Sequence, residues 1–379
     1  MKRLLLYCLF LSVALNSFAQ QNKQIEKGQC LIFNGSIDKY PITLIFEVFN
    51  KEIQGRYYYH KIGVPIALHG STNDSGYTLE TVYGGKEEKE TFTLRIFHNE
   101  LFGKWEKNGK ELSVNVIRTT NPIDMFRYHK KVEARDVLLS KGKSFDTEKY
   151  YQEAELSFTF LWPNGANKQD VFTRETQFQQ LHRFQLGAEN SSAIRFDEPV
   201  DPRTVNGHPA QLLHLMQRIS DTFFAQFTTS VLDAHKANST DYLTNQSLDI
   251  TNNFHYDSEK YNVIETTQSE YTGGAHGMYF QYHNTWSKEK NQAVEIEQML
   301  TKKQIKALPK AMTQSFKIAK GIPQKDPLDQ HGYWIKEFDS EGGNTYFTDL
   351  GIHTTFGLYE IAPYSEGIVE VFVPWKNLK

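Results

Sequence analysis

The segment Ile42-Thr43-Leu44-Ile45-Phe46-Glu47-Val48 decides the fold class of the first third of the chain. It alternates along one mostly apolar face and is rich in β-branched residues, which is typical of a half-buried β-strand. Similar short runs continue to Arg118, separated by turn signals such as Asn34-Gly35 and Asn108-Gly109. We therefore predict an antiparallel β meander over residues 27–120, closed as a small barrel or folded as a sandwich.

The aromatic residues of this segment have two interpretations. Tyr57-Tyr58-Tyr59 and Trp105 can line a ligand cavity in the mouth of a barrel. In alternating strands such side chains more often pack against neighbouring strands, and we predict that role here. Cys30 lies in the apolar run Cys30-Leu31-Ile32-Phe33, so we expect it to be a buried small hydrophobe rather than a reactive thiol.

The N-terminus has the pattern of a signal peptide. Lys2 and Arg3 precede the apolar run from Leu4 to Leu15, and the small residues around Ala19 suit signal peptidase. The run is shorter than the ~20 apolar residues that span a bilayer. We predict a signal peptide over residues 1–19 and an extracytoplasmic product, periplasmic or secreted. Cys8 lies inside the apolar run, so no lipid anchor is expected.

Composition favours a folded protein with a mildly acidic surface. The chain is 39% hydrophobic and 13% aromatic, which is ample for a core, and no later segment is long enough to span a membrane. Loss of Lys2 and Arg3 changes the formal net charge from −3 to −5. This charge argues against nucleic acid and anionic membranes and is compatible with a cationic protein partner. Cleavage also leaves Cys30 as the single cysteine, which excludes an intramolecular disulfide.

From Ala134 onward the chain reads as mixed α and β. Residues 151–162 resemble a strand, and a helix is predicted from Pro209 to about Ala237, with an apolar stripe of Leu212, Met216, Ile219, Phe223, Phe227 and Val231. A second main helix is predicted after the capping box Thr301-Lys302-Lys303-Gln304; it should stop before Gly321 and be kinked or delayed by Pro309. We expect residues 121–135 to form a polar connector and residues 187–207 to be irregular.

Two sequence blocks in the last third of the chain are more specific. Tyr271-Thr272-Gly273-Gly274-Ala275-His276-Gly277 leads into a predicted strand, and Tyr359-Glu360-Ile361-Ala362-Pro363-Tyr364 precedes the final strand, residues 368–374. With the Leu350-Gly351 turn, these blocks resemble the extracytoplasmic domain of the lysozyme-sensing (RsiV-like) anti-sigma factors, which is also attached to some peptidoglycan deacetylases. The resemblance covers about residues 134–379 (134–256 and 257–379 as two parts) and implies an α+β domain with an antiparallel sheet.

The resemblance implies a protein-binding surface near Tyr271, His276, Tyr359 and Tyr364, because aromatic residues act as anchors at interfaces. It assigns Gly273, Gly274, Ala275 and Pro363 to a structural motif. An architectural role for both blocks remains the alternative: adjacent glycines permit positive φ, and buried tyrosines can pack a ring while the hydroxyl finds a partner.

The chain departs from the family in three ways. Anti-sigma members carry a sigma-binding segment and a transmembrane helix where this chain has its signal peptide and β-rich domain, so we expect no sigma-factor binding. The catalytic domain of the deacetylase members has no counterpart among the motifs of this sequence. Members that bind lysozyme often have a proline just before the tyrosine that Tyr359 matches, and here that residue is Leu358.

No sequence motif indicates catalysis. The chain has no His-Glu-x-x-His, no Gly-x-Ser-x-Gly and no phosphate-binding or dinucleotide-binding loop. His276 and His283 lie seven residues apart, with Glu270 upstream, and an odd spacing along a strand places side chains on opposite faces. We therefore predict no catalytic residues, no metal site and no cofactor.

The sequence as a whole favours a non-catalytic extracytoplasmic binding protein that engages lysozyme or another cationic protein. A cell-wall glycan-binding module, which would bind peptidoglycan, is the first alternative. A cell-envelope hydrolase with a site at the domain interface is the second.

Overall fold

The computed structural model describes residues 25–73, 75–82, 89–187, 209–241, 243–339 and 342–378. The predicted signal peptide and most of the predicted irregular stretch lie outside these ranges. Among the helices within them, none combines the length and the apolar character needed to cross a bilayer.

The first eight strands form a closed antiparallel barrel. Each strand pairs with the next along the chain, and the second half of β1 pairs with β8, which closes the sheet. The predicted meander is thus confirmed, in its barrel form. The strands are β1 (Ile25–Ile37), β2 (Tyr40–Phe49), β3 (Glu52–Tyr59), β4 (Ile66–Asn73), β5 (Gly76–Thr81), β6 (Thr91–Phe97), β7 (Glu100–Lys107) and β8 (Lys110–Arg118).

Aromatic side chains fill the barrel and cover part of its outer wall. Tyr57 and Trp105 are buried in the interior, where the indole nitrogen of Trp105 donates to Glu90 over 2.9 Å. Tyr58 points the other way and packs in the core outside the barrel. Cys30 is fully buried on the same outer side, and burial raises the pKa of its thiol. The predicted packing roles of these residues are confirmed.

The barrel continues into an open sheet through β1. The first half of β1 pairs with β9 (Ile123–Glu133), and five further strands follow, all antiparallel except the β10–β11 pair. The prediction of a polar connector at residues 121–135 is therefore wrong: β9 buries Phe126 and Tyr128 on one face and sends Arg127 and His129 to the other. The further strands are β10 (Glu153–Trp162), β11 (Gln246–Asp257), β12 (Tyr261–Tyr271), β13 (Met278–Ser287) and β14 (Gln292–Ala293).

Five helices are described: α1 (Ala134–Ser140), α2 (Lys168–Gly187), α3 (Pro209–Lys236), α4 (Ile296–Met299) and α5 (Lys302–Lys320). The two predicted main helices are confirmed as α3 and α5. Thr301 caps α5 and Gly321 ends it with φ of +69°, so a start delayed to Pro309 is wrong. The third long helix, α2, was not predicted.

The polar face of α2 explains why its sequence has no apolar stripe. Gln177 is buried, and its amide group bonds both the backbone N–H and the carbonyl of Leu161 in β10, over 2.8 and 2.7 Å. Arg174, also buried, donates to the carbonyl of Gly165 over 2.9 Å. A helix held by such bonds can bury polar residues, and a search for hydrophobic periodicity misses it.

The open sheet separates two cores. Helices α1 to α3 pack on one face, against residues such as Phe158 and Phe160. A second, three-stranded antiparallel sheet lies with α5 in the other core: β15 (Asn344–Phe347), β16 (Gly351–Phe356) and β17 (Val369–Pro374). This core also includes Ile45 and Tyr58 from the outer wall of the barrel, so the barrel and the second part share one buried interior.

Candidate functional site

The β12–β13 loop and the turn before β17 meet in a cluster of aromatic rings. The ring of His276 stacks on Tyr364 with centroids 3.8 Å apart and planes 24° apart. Its Nδ1 donates to the Gly277 carbonyl over 3.1 Å, so its Nε2 accepts from the Tyr359 hydroxyl over 3.0 Å. The Tyr364 hydroxyl also donates to the Gly277 carbonyl, over 2.9 Å. These bonds join two segments that lie more than 80 residues apart in sequence.

A tight turn holds the side chain of Tyr359 towards solvent. Its φ of +63° lies in the left-handed region that residues with a side chain rarely adopt. The carboxylate of Glu360 fixes this turn by accepting from the backbone N–H of Gly357 over 2.6 Å and of Gly343 over 2.8 Å. Strained backbone of this kind persists where its surroundings impose it, and it is concentrated at functional sites.

Trp334 extends the cluster towards solvent. Its ring lies nearly parallel to that of Tyr359, with planes 12° apart and centroids 6.2 Å apart. Its backbone N–H donates to the Ile361 carbonyl over 2.8 Å, which ties its loop to the turn. Trp334 is 55% exposed and Tyr359 44% exposed, so large rings face solvent side by side. We call Tyr271, His276, Trp334, Tyr359 and Tyr364 the aromatic face.

The four residues predicted to bind a partner thus lie in the loop and the turn that meet at this face. His276, Tyr359 and Tyr364 are in mutual contact, whereas Tyr271 bonds within its own loop, to the Gly274 carbonyl over 3.0 Å. The structural-motif residues shape the same two segments: Gly273 and Gly274 have φ of +113° and +96°, Ala275 is exposed, and Pro363 precedes the helical turn Tyr364–Glu366. Sequence reasoning missed Trp334, which belongs to neither motif block.

A second cluster of functional groups is buried between the barrel and the open sheet. Glu265 of β12 lies directly opposite His283 of β13, whose Nε2 is 3.2 Å from the carboxylate oxygen Oε2. The same oxygen is 3.0 Å from Nδ1 of His255 in β11. Arg56, from the barrel wall, donates to the other oxygen of Glu265 over 3.2 Å and to Nδ1 of His255 over 2.9 Å.

A β-bulge lies at His255. The pairing of β11 with β12 shifts between Phe254 and Tyr256, so His255 is the extra residue opposite no partner. Such a bulge re-aims a side chain and is common next to functional sites. Asn253 pairs with Glu265, so alternation along β11 places His255, two residues further on, on the same face of the sheet as Glu265.

Further polar side chains surround this cluster. The Tyr346 hydroxyl donates a hydrogen bond to Glu370 over 2.7 Å, and Nε2 of His255 lies 3.1 Å from the same hydroxyl oxygen. Nδ1 of His353 contacts Glu370 over 2.6 Å. Nδ1 of His283 lies 3.1 Å from the side-chain oxygen of Asn344.

Burial and charge shift the pKa values of this cluster. Burial lowers the pKa of His255 to about 4, although the Glu265 carboxylate opposes the shift. Burial alone would raise the pKa of Glu265, but above all the charge of Arg56 holds it well below its usual range. At neutral pH the cluster therefore contains a carboxylate, a neutral imidazole of His255 and the Arg56 cation.

The pair considered in the sequence for a metal site does not come together. His276 is exposed in the aromatic face, whereas His283 is buried beside Glu265. No sequence motif joins His255, Glu265 and His283, because the contact depends on the register of three strands.

The comparisons with known proteins identify one domain. The profile of the DUF3298 family, described as a protein of unknown function, matches residues 287–376, and a DUF3298 domain therefore occupies this part of the chain. It includes Trp334, Tyr359 and Tyr364 but not His276 or the barrel. The comparison with curated proteins finds no match.

Two solved structures are similar to the chain. A member of the DUF3298 family from Bacteroides fragilis is 17% identical, with a TM-score of 0.49, over 67% of this chain and 91% of that chain. A DUF3298 family protein from Pseudomonas aeruginosa is 14% identical, with a TM-score of 0.39, over 68% of this chain and 93% of that chain.

Proposed function

We propose that this chain is a non-catalytic, extracytoplasmic binding protein whose aromatic face engages a cationic protein, with c-type lysozyme as the first candidate. The observation that carries the proposal is the exposure of Trp334 and Tyr359 on a rigid support. Tryptophan and tyrosine are the residues that most often dominate the binding energy of protein interfaces. The resemblance of the motif blocks to lysozyme-sensing domains supports the same class of partner.

The support of the aromatic face favours binding because it fixes the rings in advance. His276 bonds Tyr359, and the Glu360 carboxylate holds the turn that presents Tyr359. A ring that is already ordered loses less conformational entropy when a partner covers it.

The charge of the region suits a cationic partner. Exposed Glu337, Glu360 and Glu366 lie within three positions of Trp334, Tyr359 and Tyr364 respectively; they outnumber Lys336, the one lysine or arginine in those stretches, and the whole chain is mildly acidic. Complementary charge steers association and increases its rate, an effect that falls as salt rises.

Calorimetric titration of the protein that begins at Gln20 with c-type lysozyme tests the proposal. We expect saturable binding at low salt that weakens, without vanishing, at physiological salt. A muramidase assay on the same samples would distinguish an inhibitor from a receptor that leaves lysozyme active.

Sedimentation with purified peptidoglycan is the parallel experiment. Exposed stacked rings can also bind sugars. Co-sedimentation with peptidoglycan, together with no binding to lysozyme, would therefore mean that the partner is a glycan and not a protein. A protein that remains in the supernatant and binds lysozyme supports the proposal.

A further inference from the structure

The buried cluster between the barrel and the open sheet gathers three atoms of the kinds that hold metal ions. These are Nδ1 of His255, Oε2 of Glu265 and Nε2 of His283, and all three lie within 4.8 Å of one another. They come from three neighbouring strands, β11, β12 and β13, so the sheet itself sets their separation.

The neighbours of the two histidines fix which ring nitrogen carries a proton. The Tyr346 hydroxyl donates its hydrogen bond to Glu370, so its oxygen accepts a hydrogen bond from the Nε2–H of His255. The side-chain oxygen of Asn344 is identified by the backbone N–H of His283 that donates to it, so it also accepts from Nδ1 of His283. In the neutral form of each ring, the nitrogen that faces Glu265 is therefore unprotonated.

Three lone pairs consequently point at one place. Nδ1 of His255 and Nε2 of His283 approach the same carboxylate oxygen at 3.0 and 3.2 Å, and none of the three atoms brings a proton in this protonation state. With both rings neutral, these lone pairs repel one another, and a cation among them, either a metal ion or a proton on one of the rings, relieves the repulsion. Arg56 Nη1 supplies one N–H to Nδ1 of His255, but its second contact is to Oε1 of Glu265, not to the oxygen between the histidines.

We propose that His255, Glu265 and His283 bind a divalent metal ion of the zinc class, through Nδ1, Oε2 and Nε2 respectively. Two imidazoles and one carboxylate form a familiar zinc ligand set, with a water molecule in the fourth position. Tetrahedral zinc with bonds of about 2.1 Å holds its ligand atoms about 3.4 Å apart, close to the 3.0 and 3.2 Å that separate the two histidine nitrogens from Oε2 of Glu265.

The surroundings match those of a metal centre. Histidine ligands of metals donate their second N–H to an oxygen acceptor, which fixes the ring, and the Tyr346 hydroxyl and the Asn344 side-chain oxygen are the acceptors here. Asn344, which contacts His283, also lines a groove of about 370 Å³ beside α4 and α5.

Arg56 has a defined part in this site. When no metal is bound, the Arg56 guanidinium donates to Nδ1 of His255. When the ion binds, Arg56 loses this hydrogen bond and retains its hydrogen bond to Oε1 of Glu265. The ion then holds the three strands together on the side that faces the barrel, so its role is structural. Binding that requires the folded site stabilises the protein against unfolding.

Titration of metal-free protein with Zn²⁺ tests the site, with stoichiometry measured by elemental analysis after dialysis. We expect one equivalent of Zn²⁺ per chain and an increase in the unfolding temperature. Co²⁺ bound in its place should give the visible absorption of a tetrahedral nitrogen and oxygen site. Glu265→Gln should weaken Zn²⁺ binding by about 100-fold or more.

The matched control is His69→Ala. His69 is an exposed histidine of the barrel, 2.9 Å from a carboxylate oxygen of Glu80, and its removal should leave the affinity for Zn²⁺ unchanged. An equal loss in the control would indicate binding by surface histidine–carboxylate pairs and would overturn the proposal.

Two variants keep the test decisive if Glu265→Gln fails to fold. Tyr346→Phe removes the acceptor of the His255 N–H and should weaken Zn²⁺ binding by about 10-fold to 100-fold. Arg56→Met removes the competing cation and should tighten binding. Folded wild-type protein that takes up no stoichiometric Zn²⁺, or a Tyr346→Phe variant with wild-type affinity, contradicts the proposal.

Discussion

Glu47 is a carboxyl group that the fold holds in an unfavourable place. It lies on the outer side of the barrel, 5% exposed, and its oxygen Oε1 has no hydrogen-bond partner among the described residues. Burial raises its pKa from 4.5 to about 7; Arg56 and Arg127 oppose this rise, and Glu265 adds to it. The folded protein therefore holds a proton on Glu47 at pH values where the unfolded chain has released it.

This raised pKa predicts how stability depends on pH. The folded state binds more protons than the unfolded state between pH 4.5 and about 7, so stability from this group is present below pH 4.5 and is lost as pH rises through 7. Glu47→Gln keeps the shape without the charge. The free energy of unfolding of Glu47→Gln, minus that of the wild type, should increase by about 3 kcal/mol between pH 4 and pH 8.

Urea unfolding at a series of pH values measures this difference. The control Glu106→Gln, at an exposed position of β7, should follow the wild-type profile. A constant difference between Glu47→Gln and wild type from pH 4 to pH 8 would show that Glu47 is ionised in the folded state.

Whether an element could be predicted from the sequence depended on where its polar side chains find hydrogen-bond partners. The barrel strands alternate and are bounded by turn residues, and α5 carries both a capping box and a terminal glycine, so local rules were enough. β9 and α2 were missed because their polar side chains find partners that only the fold supplies, such as the Leu161 backbone for Gln177.

The two candidate sites differ in the same way: one could be predicted from sequence motifs and the other depends on the fold. Tyr271, His276, Tyr359 and Tyr364 came from two motif blocks, whereas Trp334 joins them only through tertiary contact. The buried cluster had no sequence signal at all, because the register of three strands aligns His283 with Glu265 and places His255 on the same face. Spacing along one strand cannot reveal a group built from three strands.

The capping box of α5 gives a prediction at the level of one element. The Thr301 hydroxyl accepts from the backbone N–H of Gln304, and the Gln304 side chain accepts in return from the N–H of Thr301 over 3.0 Å. Thr301→Ala should lower the free energy of unfolding by about 1 kcal/mol. Lys302→Ala, at the neighbouring exposed position, should change it little, and denaturant unfolding compares the two. Equal effects would mean that the cap contributes nothing.

At the scale of the whole molecule, strand pairing and side-chain contacts join the barrel to the open sheet. Strand β1 pairs with β8 inside the barrel and with β9 outside it. Across the same boundary, Tyr58 stacks on Tyr256 with centroids 4.6 Å apart and accepts from the backbone N–H of Asp257 over 3.1 Å. These contacts couple the barrel energetically to the open sheet.

The coupling predicts a single unfolding transition. Far-ultraviolet circular dichroism reports on both parts, and tryptophan fluorescence of a Trp105→Phe variant reports only on the tryptophans outside the barrel. The two signals should give the same midpoint. Tyr58→Ala should destabilise that one transition by roughly 3 kcal/mol. Two separate transitions in the protein with Tyr58 intact would mean that the barrel folds independently.

The most direct test of the proposed function compares two tyrosines of equal exposure. Tyr359 in the aromatic face and Tyr40 on the barrel are each 44% exposed, so truncation removes a similar exposed surface from either place. Calorimetric titration with c-type lysozyme should show wild-type affinity for Tyr40→Ala and binding about 30-fold weaker for Tyr359→Ala, as expected for an interface anchor. Equal affinities of the two variants, or wild-type protein that does not bind lysozyme at low salt, would contradict the proposal.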